Sequence, residues 1–316
     1  MVEVHLAGVF PRSEKLIGAT RAAVRGNLPQ AEVDRVLNQD INALVRLQQD
    51  SRLDSIVDGQ LNWQDLFRPF NQLLTGLNLG SLTRWFDNNS FYRKPIIVEK
   101  VALKSNDLQQ YYRSDLMDKV SHKKAVLPGP FTFAHLSENR AYSSVADLVS
   151  DLGRALGALA AVLQKKGYDY FQFNEPSICA PGRTKAELEI TKHAYEACAS
   201  GIRGKSIIQT YFGDASQVIA TLLDYPVDAI GIDFYATSID SLKEYDFNKV
   251  LGCGCADGRN SLLESPKELM TFVSRARESL EPTDIHLTPN CDLDFLPETV
   301  AAKKVRLLGE TKSLVA

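Results

Sequence analysis

A chain of 316 residues, 44% hydrophobic and 24% charged, is long enough for two ordinary domains or one large α/β barrel and has the composition of a soluble globular protein. Its net charge of −3 gives no general reason to expect nucleic acid or an anionic membrane as a partner. Five scattered cysteines make no disulfide framework, no apolar run approaches a membrane span, and the opening VEVHLAG carries no leader pattern, so a soluble cytoplasmic protein is expected.

Short apolar runs alternate with longer amphipathic stretches, the pattern of parallel strands covered by helices. In chain order this predicts a strand at 2–7, a helix at 30–50 entered from Pro29, and a strand at 55–57. An extra extended piece, KPIIVEKVAL at 94–103, comes before the third strand at 124–127. A helix at 143–166 leads to a strand at 168–173. The next helix, 184–200, opens with Thr184 and Glu187 at the spacing of a capping box. Strands follow at 205–211, 228–233 and 249–255. A helix at 266–280, with Ser265 and Glu268 as a second capping box, precedes the last strand at 284–288.

Eight strands with intervening helices predict an α/β fold: a single (β/α)8 barrel over residues 1–316, with an extended, hairpin-like insertion after strand 2. An open doubly wound sheet is the alternative. The barrel is favoured by polar residues at the strand ends, which it would gather at one mouth: Asp58-Gly59-Gln60, Gly129-Pro130, Asn174-Glu175-Pro176, Tyr211, Asp233, Asp257 and Asn290-Cys291. Each of these alone is also a common turn former or cap.

Residues 251–260, LGCGCADGRN, leave a choice open. Cys253 and Cys255 point the same way along a strand and, with Cys291 and Asp233, could hold a metal. Equally, unpaired cysteines pack as small hydrophobes, and Cys-x-Cys is not the usual structural-zinc spacing. Trp63 and Asp65 offer an aromatic plate beside an acid for a flat heterocycle, or a loop packed on the barrel. Asp257, Arg259 and Asn260 suit a ligand carboxylate, or Asp257 and Arg259 form an internal salt bridge that holds the loop. Glu175 is read as functional, because a charge at a barrel strand end is costly unless used or paired. His5, placed near the mouth, and His286 are read as hydrogen-bonded barrel residues. Arg12, Lys15 and Arg21 could attract an anionic tail or form a solvated helix face. There is no GxSxG, no phosphate loop and no triad spacing.

GVFPRS (8–13), VDGQLNWQD (57–65), LPGPFTF (127–133), QFNEPS (172–177), QTYFGD (209–214), PVDAIGIDF (226–234), CADGRN (255–260) and TPNCDLDFLP (288–297) run across nearly the whole chain. Together and in this order they resemble the strand-end motifs of the cobalamin-independent methionine synthase family. The FPR, TYF, PVDAIGID and DGRN pieces look most like the N-terminal barrel of its two-barrel enzymes. In the family's zinc-bearing barrel, strand 5 carries His-x-Cys, strand 6 ends on Glu and strand 8 on Cys. The matching positions here are Tyr211, Gly213, Asp233 and Cys291. Gln60 and Asn174 stand where that barrel has the Glu and Asp that hold the amino group of homocysteine.

The resemblance therefore implies methyl transfer to homocysteine from a methylated reduced pterin or a methyl-corrinoid. It implies a zinc-poor module working with a separately encoded zinc-bearing homologue, with no metal expected at the family site. The implied substrate-binding residues are Gln60, Asn174, Tyr211 and Asp233, joined by Trp63, Asp65, Glu175, Asp257, Arg259 and Asn260. No catalytic residue is assigned. A non-catalytic ligand-binding or scaffold barrel is one alternative, and a metal-free enzyme of the wider uroporphyrinogen decarboxylase superfamily is another.

Overall fold

The computed structural model describes residues 2–104 and 107–315. The first half runs β1 (Glu3–Val4), α1 (Glu14–Val24), α2 (Gln30–Asp50), α3 (Phe70–Leu73), β2 (Leu77–Arg84), β3 (Phe91–Ile97), β4 (Lys123–Pro128), α4 (Pro130–His135), β5 (Glu138–Asn139) and α5 (Val145–Lys165). The second runs β6 (Tyr168–Asn174), α6 (Lys185–Ala199), β7 (Lys205–Gln209), α7 (Ile219–Leu222), β8 (Ala229–Asp233), β9 (Val250–Ala256), α8 (Pro266–Leu280), β10 (Asp284–Pro289) and α9 (Glu298–Val315).

Seven parallel strands pair in the order β1-β10-β9-β8-β7-β6-β4. The gap between β1 and β4 is bridged by the predicted second strand, reduced to two residues. Ser55 pairs with His5 and Ile56 with Lys123, both parallel. The Ile56 N–H donates to His122 O at 3.0 Å and Lys124 N–H to Ile56 O at 2.9 Å. The sheet is thus curled into the expected barrel.

The helices form where the sequence spaces apolar groups at three and four residues. α2 buries Val33, Val36, Leu37, Ile41, Leu44, Val45 and Gln48 on one stripe. Both capping boxes are made, at Thr184–Glu187 and Ser265–Glu268. No helix among the described residues is long and apolar enough to cross a membrane.

The insertion differs from its expected extent. β2 and β3 form an antiparallel hairpin, extended by β5 alongside β3. The predicted 94–103 piece is strand only as far as Ile97, and β2 lies upstream of it. The strand predicted at 205–211 stops at Gln209, and the chain turns at Phe212 with φ 68°.

Inside the barrel, Lys124 Nζ donates to Leu6 O at 2.8 Å and lies 2.8 Å from His5 Nδ1. His5 Nε2 is 3.2 Å from His286 Nδ1, and the Tyr170 hydroxyl touches both rings at 3.3 and 3.2 Å. His5 therefore sits within the barrel and not at the mouth. Burial, then the Lys124 charge, pushes its pKa well below the ordinary histidine value, and burial does the same to Lys124.

Candidate ligand-binding site

The loop that leaves β10 crosses the barrel mouth. Asp292 on this loop takes the Val9 N–H at 2.9 Å and the Asn174 side-chain amide at 3.3 Å, tying the ends of β1, β6 and β10 together. Gly8 permits this approach. Its φ is +152°, and a Cβ there would lie 3.0 Å from Asp292 Oδ1. Burial raises the Asp292 carboxyl to about 6, against the opposing pull of the Val9 N–H and Lys124. Two residues on, Asp294 is water-accessible and takes no hydrogen bond from any other described residue. The surrounding protein and the Asp292 charge shift its pKa upward.

Across from this loop, Gln60 is held at φ 53° by the bond from its N–H to Asp58 Oδ1, 3.0 Å. Its Nε2 faces Val126 O at 3.4 Å. Its Oε1 is buried without a partner among the described residues.

These groups border a cavity of about 600 Å3, a size that suits a small organic ligand. Its walls are the loop after β1, residues 60–66, residues 292–299 and the hairpin tip with Trp85 and Tyr92. Asp65 pins that hairpin in place. One of its oxygens accepts the Phe67 and Arg68 N–H groups, and the other accepts Arg93 N–H and Arg68 Nε, each at 3.2 Å. Trp63 is 2% exposed, its indole N–H donates to Tyr111 O at 2.8 Å, and its ring packs on Phe70 and Tyr112. Both residues line the cavity, but as wall and clasp. Of the aromatic residues lining the cavity, Phe91 is the most exposed, at 49%.

Arg12 stands where this cavity meets a second groove of about 700 Å3 between α1, α2 and residues 109–113. Half-buried, it makes no ion pair or hydrogen bond with any described residue, and burial lowers its pKa, helped by Arg68 and Arg21.

The remaining predicted residues lie elsewhere. Glu175 is completely buried on the helix side of β6, opposite to Asn174. It accepts the Thr132 N–H in the first turn of α4 and the Tyr195 hydroxyl at 2.9 Å. Burial raises its carboxyl to about 7 despite these donors. Its reading as a ligand group is corrected: it is a paired helix cap.

Asp233 takes the Phe212 N–H at 3.2 Å, the Tyr235 N–H at 3.0 Å and the Asn290 side-chain amide at 3.0 Å, with Arg259 Nη2 at 3.8 Å. It knits together the loops after β7, β8, β9 and β10. The Tyr211 hydroxyl is buried beside them with no partner among the described residues.

Asp257 caps Arg259 N–H at 2.9 Å, and Asn260 caps Leu262 N–H at 3.1 Å. Asp257 and Asn260 face a separate cavity of about 410 Å3 toward α8. The Asp257 carboxylate meets the Arg259 backbone, and the Arg259 guanidinium turns to Asp233 at 3.8 Å, so the expected Asp257–Arg259 salt bridge is not what holds the loop.

Cys253 and Cys255 do not face the barrel interior. Gly252 and Gly254 point inward, a Cβ on Gly252 falling 3.1 Å from Ile207 Cδ1. The alternating residues therefore face the helix layer, where Cys255 lines the cavity with Leu269 and Phe272. A shared site with Cys291 and Asp233 is ruled out by this direction.

Among the described residues, no group of three His, Cys, Asp or Glu side chains is placed to hold a metal ion. At the family positions only Asp233 and Cys291 offer donors. The Asp233 oxygens already accept three N–H groups, and the Cys291 thiol donates to Asp292 O at 3.4 Å. Zinc, which needs three protein ligands and an open position for catalysis, does not fit this donor set.

Sequence reasoning missed Asp292, Asp294, Trp85 and Tyr92. The first two had a visible signal: two acids in alternation, CDLDFL, just beyond the last strand.

A family model described as "Cobalamin-independent synthase, N-terminal domain" matches residues 76–281. The chain is 24% identical over 320 residues to a methionine synthase of Saccharolobus solfataricus, covering 100% of this chain and 95% of that protein. A methionine synthase of Sulfurisphaera tokodaii is 24% identical over 300 residues, covering 94% and 88%. Among solved structures, the B12-independent methionine synthase of Shewanella sp. W3-18-1, in complex with selenomethionine, superposes with TM-score 0.84 at 17% identity, covering 100% and 98%. A putative vitamin-B12 independent methionine synthase of Listeria monocytogenes gives 0.76 at 16%, covering 100% and 99%. At these identities the two structures support the fold alone.

Proposed function

The chain belongs to the cobalamin-independent synthase family, and from that premise we propose that it acts in methyl transfer from a methylated reduced pterin to homocysteine, as the donor-holding barrel of a pair. The observation that carries this reading is the capped mouth cavity, with carboxyl acceptors at its floor and the unpaired Arg12 at its exit. A flat, N–H-bearing ring with an anionic tail matches that order of groups. A cavity of about 600 Å3 is of the size that holds a small organic molecule such as a pterin.

The reaction forms a carbon–sulfur bond and breaks a nitrogen–methyl bond. The thiol loses its proton, and the demethylated nitrogen gains one. A free thiol of pKa ~8.5 is only a few per cent thiolate at neutral pH, so the sulfur needs activation. Tyr211, Gly213, Asp233 and Cys291 do not gather the soft donors for this, and we assign that step to a separately encoded zinc-bearing homologue.

Methionine formation is the direct readout. Methylated pterin and homocysteine should give methionine with both proteins present at a rate well above that of the homologue alone, and none with this chain alone. Turnover by this chain alone would overturn the division of labour. Arg12→Met should weaken a glutamyl-tailed methylpterin by roughly ten- to a hundredfold, from the ~1.5–3 kcal/mol of a charge-assisted bond. A tail-less analogue should bind both forms equally in calorimetric titration.

A further inference from the structure

We propose that Asp292, Asp294 and the Gln60 carbonyl form one acceptor edge for N–H donors, so that the head of the ligand is a planar amidine- or guanidine-type group. This rests on the reading of the mouth cavity as the methyl-donor site.

All three residues line the same cavity. Gln60 and Asp292 also meet at one neighbour, Val126 of β4. Gln60 Nε2 is committed to Val126 O, and the position of a Cβ on Gly8 lies 3.0 Å from Asp292 Oδ1 and 3.1 Å from the Val126 side chain. Asp292 is fixed from behind by Val9 and Asn174, which leaves lone pairs on its cavity side. Asp294 has no other described residue donating to it.

Gln60 is 5% exposed with an unpartnered Oε1, and a buried carbonyl oxygen in that state calls for a donor. Two aromatic donors of the wall are engaged elsewhere. Trp63 N–H is bound to Tyr111 O, and the Tyr92 hydroxyl to Leu136 O. An anionic head would face two carboxyl groups, which disfavours it. A quaternary onium head would answer the charge yet leave Gln60 Oε1 unbonded. A fork of coplanar N–H groups answers all three acceptors, in the geometry by which carboxylates take guanidinium-type groups.

The test is titration calorimetry on the full chain with 6-methyltetrahydropterin, its 2-desamino analogue, agmatine and tetramethylammonium. The 2-amino pterin should bind at least tenfold more tightly than the desamino form. Asp294→Asn, at an exposed side chain, should remove that preference, and Gln60→Glu should retain it. Equal binding of the two pterins would overturn the acceptor edge while the pterin reading stood. If neither pterin binds, that reading fails. Agmatine binding that is lost in Asp294→Asn would then still uphold the edge, and no agmatine binding would overturn it too. Tetramethylammonium bound as tightly as the N–H probes would also overturn it.

Discussion

Glu175→Gln is expected to remove a loss of stability that the wild-type chain suffers between about pH 4.5 and 7. The carboxyl is raised from 4.5 to about 7 by burial, so the native state keeps a proton that the unfolded chain gives up in this window. Its contribution is therefore complete below pH 4.5 and lost as pH rises through 7. For a completely buried group this amounts to about 3 kcal/mol. His5 and His286 run the other way: both are pushed down by burial, and they withdraw stability as pH falls below 6.5. The prediction therefore concerns the difference between wild type and variant, read from urea unfolding at each pH. Glu175→Ala should be worse at every pH. It orphans the Thr132 N–H and the Tyr195 hydroxyl, at ~1–3 kcal/mol for each buried group. Ligand affinity should not change in the glutamine variant. Lost binding with unaltered stability would overturn the capping role.

The same residue shows where sequence and structure part. Desolvation argued correctly that Glu175 must be used or paired, but not which. The choice depends on the two-residue alternation of β6, which turns Asn174 inward and Glu175 toward α4. The barrel strands were legible because both faces are covered, so that β4, β6 and β9 read as short runs bounded by turns. β2 was not, because its residues are mostly exposed and carry no apolar period. α9 was hidden by Lys304 and Thr311, buried polar groups on its inner face, the former paired with Glu264 at 2.8 Å. The cavity could not be read at all. Its roof is a hairpin and its floor the loop after β10, far apart in the chain and joined only by folding.

Tyr211→His/Gly213→Cys would restore the side chains that the zinc-bearing barrel carries at these positions, yet it is expected to lose stability without gaining a metal. A Cβ on Gly213 would fall 2.4 Å from Cys179 O and 2.8 Å from Cys179 Cβ, so backbone must move before a thiol can be placed. The residue before it, Phe212, is already held at φ 68° and anchored through its N–H to Asp233. Overpacking of this kind costs ~1–3 kcal/mol, and exchanging a fully buried tyrosine for a smaller imidazole adds a void. Asp233 cannot compensate, because turning toward a metal would release two backbone N–H groups and Asn290. Metal analysis after purification without a histidine tag should find zinc well below one equivalent in both proteins, with the variant unfolding at lower urea. One firmly held zinc per chain in the variant, at an unchanged midpoint, would show that packing against Cys179 is not what keeps a thiolate out of this mouth.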